Sequence, residues 1–226
     1  MKAIILAAGE GRRMRDVTSD PKCLLEINGE SLIKRQLRLL ESVYCAPVIV
    51  VGYEYRKIIN HIGWGKEMVM NPIWNNSNTL MSLLFAISGP PTDCLVINGD
   101  VVFEKSLLYQ MIKADYSACA YQELDNPTDE EVKIKCDETY KIFVTEIGKH
   151  VTDSNLEAVG VYLLREPLVK AIRNYASCLD NPCSLYYEDA FNMFLKFHPM
   201  ATVKAKNAIE IDTPEDYGRA KELYAK

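Results

Sequence analysis

Short runs of apolar residues alternate with amphipathic segments through the first half of the chain. Uninterrupted apolar runs predict buried strands, whereas apolar residues that recur every three or four positions predict helices. The predicted strands are Ala3–Leu6, Val48–Val51 and Cys94–Ile97, with a weaker one at Glu67–Met70. The predicted helices are Leu32–Leu40 with Ser31 as its N-cap, Thr79–Ile87 and Ser106–Lys113. Apolar strands joined by helices predict an α/β fold with a mostly parallel sheet covered on both faces.

The second half of the chain is less regular and predicts a hairpin, more strands and three helices. The hairpin pairs 133–135 with 142–144 around a turn at 137–140. The further strands are Val159–Leu164, Ala201–Lys204 and Ile209–Asp212, and the helices are Leu168–Tyr175, Glu188–Phe197 and one that begins after Thr213. Thr213 is a typical N-cap, because a proline and two acidic residues follow it. No linker or repeat interrupts residues 1–226, which predicts a single domain.

Composition narrows the class of protein. The chain has 226 residues, of which 48% are hydrophobic and 25% charged, with a net charge of −5. This balance predicts a globular domain and argues against a nucleic-acid binder, which usually carries a basic face. Seven cysteines occur without a C-x-x-C pair, and no apolar run approaches a membrane span. We therefore expect a cytoplasmic protein with core thiols, no membrane insertion and no nucleic-acid partner.

A basic glycine loop follows the first predicted strand. It runs L-A-A-G-E-G-R-R-M-R over 6–15, and Lys22 follows in an Asp-Pro-Lys sequence. Glycines let the backbone approach a polyanion, and arginine donors match phosphate oxygens. The dinucleotide pattern G-x-G-x-x-G fails because position 14 is Met, and the P-loop pattern does not occur. The loop predicts a phosphate-binding site of another kind, with a solvated basic turn as the structural alternative.

Three carboxylates lie at two other predicted strands, one just after the strand Cys94–Ile97 and two within Ile209–Asp212. Asp100 ends an Asn-Gly-Asp sequence, and Glu210 and Asp212 lie two positions apart. Strand residues two apart project to one face, so Glu210 and Asp212 can converge. With Asp100 they supply the oxygen ligands that Mg²⁺ prefers. A turn cap at Asp100 and an exposed acidic pair are the structural alternative.

The loop, read as L-A-A-G-x-G-x-R followed by P-K, resembles the sugar-phosphate and alditol-phosphate nucleotidylyltransferases in order and spacing along nearly the whole chain. The resemblance implies a three-layer Rossmann-like fold, catalytic roles for Arg13 and Lys22, and Mg²⁺ bound by Asp100, Asp212 and Glu210. It implies that the nucleotide is bound by Leu6, Ala7, Ala8, Gly9, Glu10, Gly11 and Arg12. The chain departs from the family in having Arg12 where Ser or Thr is usual and D-V-T at 16–18 where P-L-T is common.

The segment 71–83, N-P-I-W-N-N-S-N-T-L-M-S-L, is similar to the small CTP:phosphocholine and CTP:phosphonate cytidylyltransferases. That likeness implies CTP as the nucleotide, with Asn78 and Ser82 at the base, although asparagines also form turns and caps. Residues of roughly 115–200 would contribute the acceptor-binding part. The expected acceptor contacts are Lys149, Glu157, Tyr187 and Glu188, and hydrophobic packing is the favoured explanation for the tyrosine.

The sequence thus predicts transfer of a nucleoside monophosphate from CTP to a small phosphate or phosphonate acceptor, with release of pyrophosphate. One alternative is a sugar-1-phosphate nucleotidylyltransferase that uses UTP or dTTP. A glycosyltransferase is another, because Asn98-Gly99-Asp100 resembles a D-x-D metal motif. A non-catalytic nucleotide-binding subunit is the third. Assembly as a homodimer stays open.

Overall fold

A computed structural model describes residues 1–43 and 45–225. The strands are β1 Lys2–Ala7, β2 Glu26–Ile27, β3 Glu30–Ser31, β4 Pro47–Val51, β5 Glu67–Met70, β6 Cys94–Asn98, β7 Val101–Val102, β8 Ser117–Glu123, β9 Lys133–Cys136, β10 Val144–Gly148, β11 Leu156–Leu164, β12 Met200–Lys204 and β13 Ile209–Glu210. The helices are α1 Leu32–Glu41, α2 Tyr55–Ile62, α3 Thr79–Ala86, α4 Lys105–Ile112, α5 Glu166–Ala176, α6 Tyr187–Asn192 and α7 Pro214–Leu223.

The central sheet is mixed, and its middle is parallel. Its order is β10-β9-β11-β6-β1-β4-β5, with β8 and β12 joined to it through β11. Strands β6, β1, β4 and β5 run parallel, whereas β11 runs antiparallel to β6. From β1 the chain passes outward to β4 and β5 and then returns to β6 on the other side. This reversal places a ligand-binding crevice at the carboxyl ends of β1 and β6.

Two apolar layers cover the sheet, which confirms the predicted three-layer architecture. Alternate residues of β1 face opposite ways: Ile5 packs in the cluster with α1, α2 and α4, and Ile4 packs in the cluster with α3, α5 and α6. A third, smaller cluster joins Met14 to β13 and α7. All seven cysteines are free thiols, three of them fully buried. Within 1–43 and 45–225 no helix is long and apolar enough to cross a membrane.

Most elements predicted in the first half of the chain are confirmed within two residues at their ends. The Ser31 hydroxyl accepts a hydrogen bond from the Lys34 N–H at the start of α1, and Thr213 forms a capping box with Asp216 at the start of α7. Helix α2 and strands β2, β3, β7 and β8 were not predicted.

Three predicted boundaries were wrong. The hairpin pairs β9 with a strand that begins only at Val144, because the Asp137 carboxylate accepts the N–H groups of Ile142 and Phe143. Helix α6 stops at Asn192 instead of Phe197, since the Asn192 amide bonds both backbone groups of Ile147. Strand β13 ends at Glu210, so Asp212 lies beyond it.

Candidate active site

The glycine loop after β1 is shaped by Gly11 and Lys22. Gly11 adopts a φ of +64°, and a Cβ added there would lie 2.4 Å from the Lys22 Cγ. The position therefore requires glycine both for its backbone and for the lysine stem that passes over it. The next residues form a 3₁₀ turn, anchored by the fully buried Met14. The loop thus carries Lys22 across itself toward the carboxyl end of β6.

The three loop arginines have different surroundings. The Glu10 carboxylate binds the guanidinium groups of Arg12, at 2.8 Å, and Arg15, and these contacts lower the pKa of Glu10. Arg13 lies on the cleft side instead, and its Nη2 is 2.8 Å from the Asp212 Oδ2. The nucleotide contacts predicted for Glu10 and Arg12 stay predictions, because neither residue lines the cleft in this conformation.

Lys22 lies at the centre of an ion cluster. Its Nζ is 2.5 Å from the Asp100 Oδ2 and 2.7 Å from the Asp212 Oδ1, and it donates to the Ile211 carbonyl at 3.1 Å. Burial acts to lower the pKa of Lys22, but the two carboxylates outweigh it and raise that pKa. Burial acts to raise the pKa of Asp212, and Lys22 and Arg13 outweigh it and lower it. Lys22 and Asp212 are therefore both ionised at neutral pH.

The predicted set of three metal ligands is not formed. Glu210 accepts a hydrogen bond from the Asn98 Nδ2 at 2.8 Å, and burial together with the nearby Asp100 and Asp212 raises its pKa well above the ordinary value. The described residues include no group of three acidic, histidine or cysteine side chains placed to hold one metal ion. Asp100 and Asp212 do converge on a single cation, the Lys22 ammonium. Two such carboxylates fit Mg²⁺ when substrate phosphates complete its coordination.

The segment around Asn78 and Ser82 forms one wall of the cleft. The buried Asn71 donates from its Nδ2 to the hydroxyls of Ser82, at 3.0 Å, and Ser77, at 3.1 Å. The Asn78 Nδ2 donates to the Ser184 carbonyl at 2.7 Å. A carbonyl can only accept, so this contact fixes the orientation of the Asn78 amide and leaves its Oδ1 as the acceptor available to a ligand.

Two predicted acceptor residues, Tyr187 and Glu188, line the cleft at the start of α6, where the Tyr187 N–H donates to the hydroxyl of Thr79, the neighbour of Asn78. Tyr187 is 1% exposed, stacks on Phe191 and donates from its hydroxyl to the Asn98 Oδ1 at 2.9 Å, so packing accounts for most of its ring. Glu188 accepts from the Tyr162 hydroxyl at 3.2 Å, and burial raises the pKa of Glu188 to about 7.

Glu157 and Lys149 also line the cleft. Glu157 accepts from the Gln122 Nε2 at 2.6 Å, and burial raises its pKa. Lys149 is exposed, and its Nζ is 3.5 Å from the Glu130 Oε2. The same Glu130 oxygen lies 3.1 Å from the Arg13 Nη1. Arg13, Glu130 and Lys149 thus bring together charges from both halves of the chain.

These residues surround a cleft of about 560 Å³. Of the predicted site residues, it is lined by Leu6, Ala8, Gly9, Arg13, Asn78, Ser82, Asp100, Lys149, Glu157, Tyr187, Glu188, Glu210 and Asp212. Lining residues that were not predicted as site residues include Asn71, Trp74, Asn98, Gln122, Glu130 and Arg219. The amide-rich segment contains Asn71 and Trp74, but Gln122 lies on the unpredicted β8 and Glu130 follows it.

Comparisons with known proteins agree with this architecture. The family profile described as MobA-like NTP transferase domain matches residues 3–183. The bifunctional protein GlmU of Methanocaldococcus jannaschii is 29% identical over 173 residues, which is 76% of this chain and 42% of GlmU. The chain therefore spans about two fifths of the length of that relative.

Two solved structures share the fold. The CTP:phosphocholine cytidylyltransferase from Streptococcus pneumoniae superposes with a TM-score of 0.79 at 23% identity, covering 98% of each chain. The inositol-1-phosphate CTP transferase from T. maritima gives a TM-score of 0.77 at 18% identity, covering 99% of this chain and 96% of that one. At these identities the likeness shows the fold alone.

Proposed function

The chain belongs to the MobA-like NTP transferase domain family, and from that premise we propose that it transfers a cytidylyl group from CTP to a small phosphate or phosphonate acceptor. The observation that carries the proposal is the ion cluster beside the glycine loop, in which Arg13 and Lys22 meet Asp100 and Asp212. Two fixed cations suit a triphosphate, and two carboxylates suit its accompanying divalent cation. The cluster lies at the switch point of the sheet, where this fold class binds ligands.

The reaction is an in-line displacement at the α-phosphorus. An oxygen of the acceptor forms the new P–O bond, the bond to the bridging oxygen of pyrophosphate breaks, and pyrophosphate leaves with that electron pair. An ionised phosphate or phosphonate is already a nucleophile, so no general base is required. Catalysis then depends on aligning two anions and on stabilising the charge that develops between them. Lys22 and Arg13 are the residues suited to this role.

Asp100 and Asp212 would hold Mg²⁺, which supplies charge neutralisation to the triphosphate when it is bound. Glu210 accepts a hydrogen bond from Asn98 instead and is left out of this pair of ligands. The Lys22 ammonium now lies between the same two carboxylates. Arrival of the nucleotide gives that ammonium an alternative partner, because phosphate oxygens and carboxylates compete for the same donors.

The orientation of Asn78 supports CTP over UTP. The Ser184 carbonyl occupies the Asn78 Nδ2, so the Oδ1 is the group that Asn78 can offer to a ligand in the cleft, as an acceptor. Cytosine offers an exocyclic amino donor at its 4-position, whereas uracil offers a carbonyl there. An acceptor fixed in this way pairs with the first and opposes the second, and a site built to bond one edge discriminates strongly against the other.

The predicted acceptor residues in the cleft support a small acceptor with a cationic group. Lys149 is suited to the acceptor phosphate, and Glu157, Tyr187 and Glu188 line the same cleft. A carboxylate whose pKa is near 7, as that of Glu188 is, ionises readily when a cation approaches. Phosphocholine and aminoethylphosphonate both combine these two features.

Pyrophosphate release tests the proposal directly. Purified protein with Mg²⁺ is assayed with CTP, UTP, dTTP and ATP against phosphocholine, aminoethylphosphonate, inositol-1-phosphate and sugar-1-phosphates. We expect turnover with CTP and a small acceptor. Turnover restricted to UTP or dTTP with a sugar-1-phosphate would replace the proposal by the sugar-nucleotide alternative. If no pyrophosphate is released with any pair of nucleotide and acceptor, nucleotidyl transfer to these acceptors is ruled out.

A further inference from the structure

Gln36 is a polar residue on an apolar face of α1. Positions 32, 36 and 40 are four apart and therefore share one face of the helix. Leu32 and Leu40 are fully buried there, and Gln36 is 1% exposed between them. Its Oε1 has no hydrogen-bond partner among the described residues, although it is buried. An unsatisfied buried oxygen is unfavourable, so the hydrogen bonds of the Gln36 nitrogen must offset its cost.

The Gln36 nitrogen holds both ends of the turn that carries Asp100. Its Nε2 donates to the Asn98 carbonyl at 2.9 Å and to the Val101 carbonyl at 2.8 Å. Both partners are carbonyls, which can only accept, so the orientation of the amide is fixed. The Gln36 nitrogen uses both of its N–H groups, one for each carbonyl. Apolar side chains of similar size cannot do this.

The same turn is attached to the strands on either side of it. The Gly99 N–H donates to the Leu6 carbonyl at 2.8 Å, and the Ile211 N–H donates to the Asp100 carbonyl at 3.0 Å. These two bonds join backbone groups. Gln36 supplies a third attachment, through a side chain on the far side of the turn. Asp100 is thereby held 2.5 Å from the Lys22 ammonium.

We propose that Gln36 is a positioning residue for nucleotidyl transfer: its amide clamps residues 98–101 and so fixes Asp100 relative to Lys22 and Asp212. This inference rests on the proposed function for its catalytic consequence. The clamp also holds the backbone of Asn98, whose side chain joins Tyr187 to Glu210. One residue outside the cleft therefore orients groups on both of its sides.

Gln36→Met tests the clamp, because methionine keeps the length of the side chain and removes both donors. Leu39→Ala is the matched control, since it removes buried contacts from the same helix. Amide hydrogen exchange is measured at Gly99 and Ile211, whose N–H groups report on the turn. We expect faster exchange at these two positions in Gln36→Met and exchange close to the unmodified protein in Leu39→Ala.

The kinetic and metal-binding readouts follow the same design. In Gln36→Met we expect kcat to fall by about 10- to 100-fold, because small displacements of reacting groups are costly. We expect Mn²⁺, used as a paramagnetic probe, to bind about tenfold more weakly, as when the support of a metal ligand is lost. The KM for CTP should change by less than about threefold, since the loop contacts remain.

Several results would overturn the proposal. Unchanged exchange and unchanged kcat in folded Gln36→Met would do so, and so would equal increases in exchange in Leu39→Ala. If Gln36→Met does not fold, Gln36→Asn replaces it, because it keeps the donors but withdraws them by one methylene, and the same effects are expected. If the unmodified protein releases no pyrophosphate with any substrate pair, the proposed function fails, and the exchange experiment still decides whether Gln36 fixes the turn.

Discussion

Replacing Lys22 by methionine should change metal binding and turnover in opposite directions. In the structure its ammonium lies 2.5 Å from an Asp100 oxygen and 2.7 Å from an Asp212 oxygen. A divalent cation that binds these two carboxylates must displace the ammonium or remain close to it. Lys22→Met removes the positive charge and keeps the stem that packs over Gly11. The vacated carboxylates should then bind a cation more tightly.

The size of this effect follows from the charges and their exposure. Two unit charges about 4 Å apart interact by about 4 kcal/mol at an effective dielectric constant of about 20. Asp212 keeps 35% of its side chain exposed, so solvent screening reduces the gain. If about half of the interaction energy remains, ~2 kcal/mol, the divalent cation binds roughly 30-fold more tightly. Turnover should nevertheless fall by about 100- to 1000-fold, because a donor to the transition state is lost.

The assay combines Mn²⁺ binding, followed by electron paramagnetic resonance without nucleotide, with pyrophosphate release. Lys57→Met is the control, because Lys57 forms an exposed ion pair with Asp20 at 2.7 Å. The control should match the unmodified protein in both measurements. A folded Lys22→Met variant that binds Mn²⁺ no more tightly than the unmodified protein would refute the shared use of these carboxylates by lysine and metal.

Three further predictions concern single residues. Asp212→Asn should lower turnover by about 100-fold while circular dichroism stays unchanged; a folded variant with normal turnover would remove the metal assignment. Asn78→Ala should narrow the CTP/UTP ratio of kcat/KM by about tenfold, whereas Asn76→Ala in the same segment should not. Glu188 has a pKa raised by burial to about 7. The unfolded chain therefore loses the Glu188 proton at a lower pH than the folded protein does. The free energy of unfolding should fall as pH rises from 4.5 to 7. Glu188→Gln should remove that decline, about 3 kcal/mol, in urea titrations at several pH values. If the free energy of unfolding of the variant falls with pH as steeply as that of the unmodified protein, the raised pKa of Glu188 is contradicted.

The sequence could predict the elements whose signals are local. The apolar runs of β1, β4 and β6 identify the parallel core, and the glycine loop and Asp100 follow two of these strands directly. Parallel strands end at the same edge of a sheet, so these groups had to meet there. Caps such as Ser31 and Thr213 depend on bonds to residues three positions away, which a sequence displays openly.

The remainder depends on contacts between distant residues. Helix α6 ends early because Asn192 bonds a strand 45 positions away. The Asn78 amide is oriented by a carbonyl 106 positions away, and Arg12 binds Glu10 although its position in the loop indicated phosphate. Gln36 would be taken for a surface residue, since glutamine is seldom buried. Spacing along the chain carries no information about such pairings.

The pairing of Lys22 with Asp212 also bears on how the site forms during synthesis. The two residues are 190 positions apart, and Asp212 follows the stretch that matches the family profile, 3–183. Chains fold as they emerge, with N-terminal parts first, and pairings between distant positions form slowly. The glycine loop and the strands around it can therefore associate while Lys22 has Asp100 alone as a partner. Only when β13 docks on β7 does the charge cluster close. A chain cut at the profile boundary therefore keeps the parallel strands β1, β4, β5 and β6 and loses one of the two proposed metal ligands.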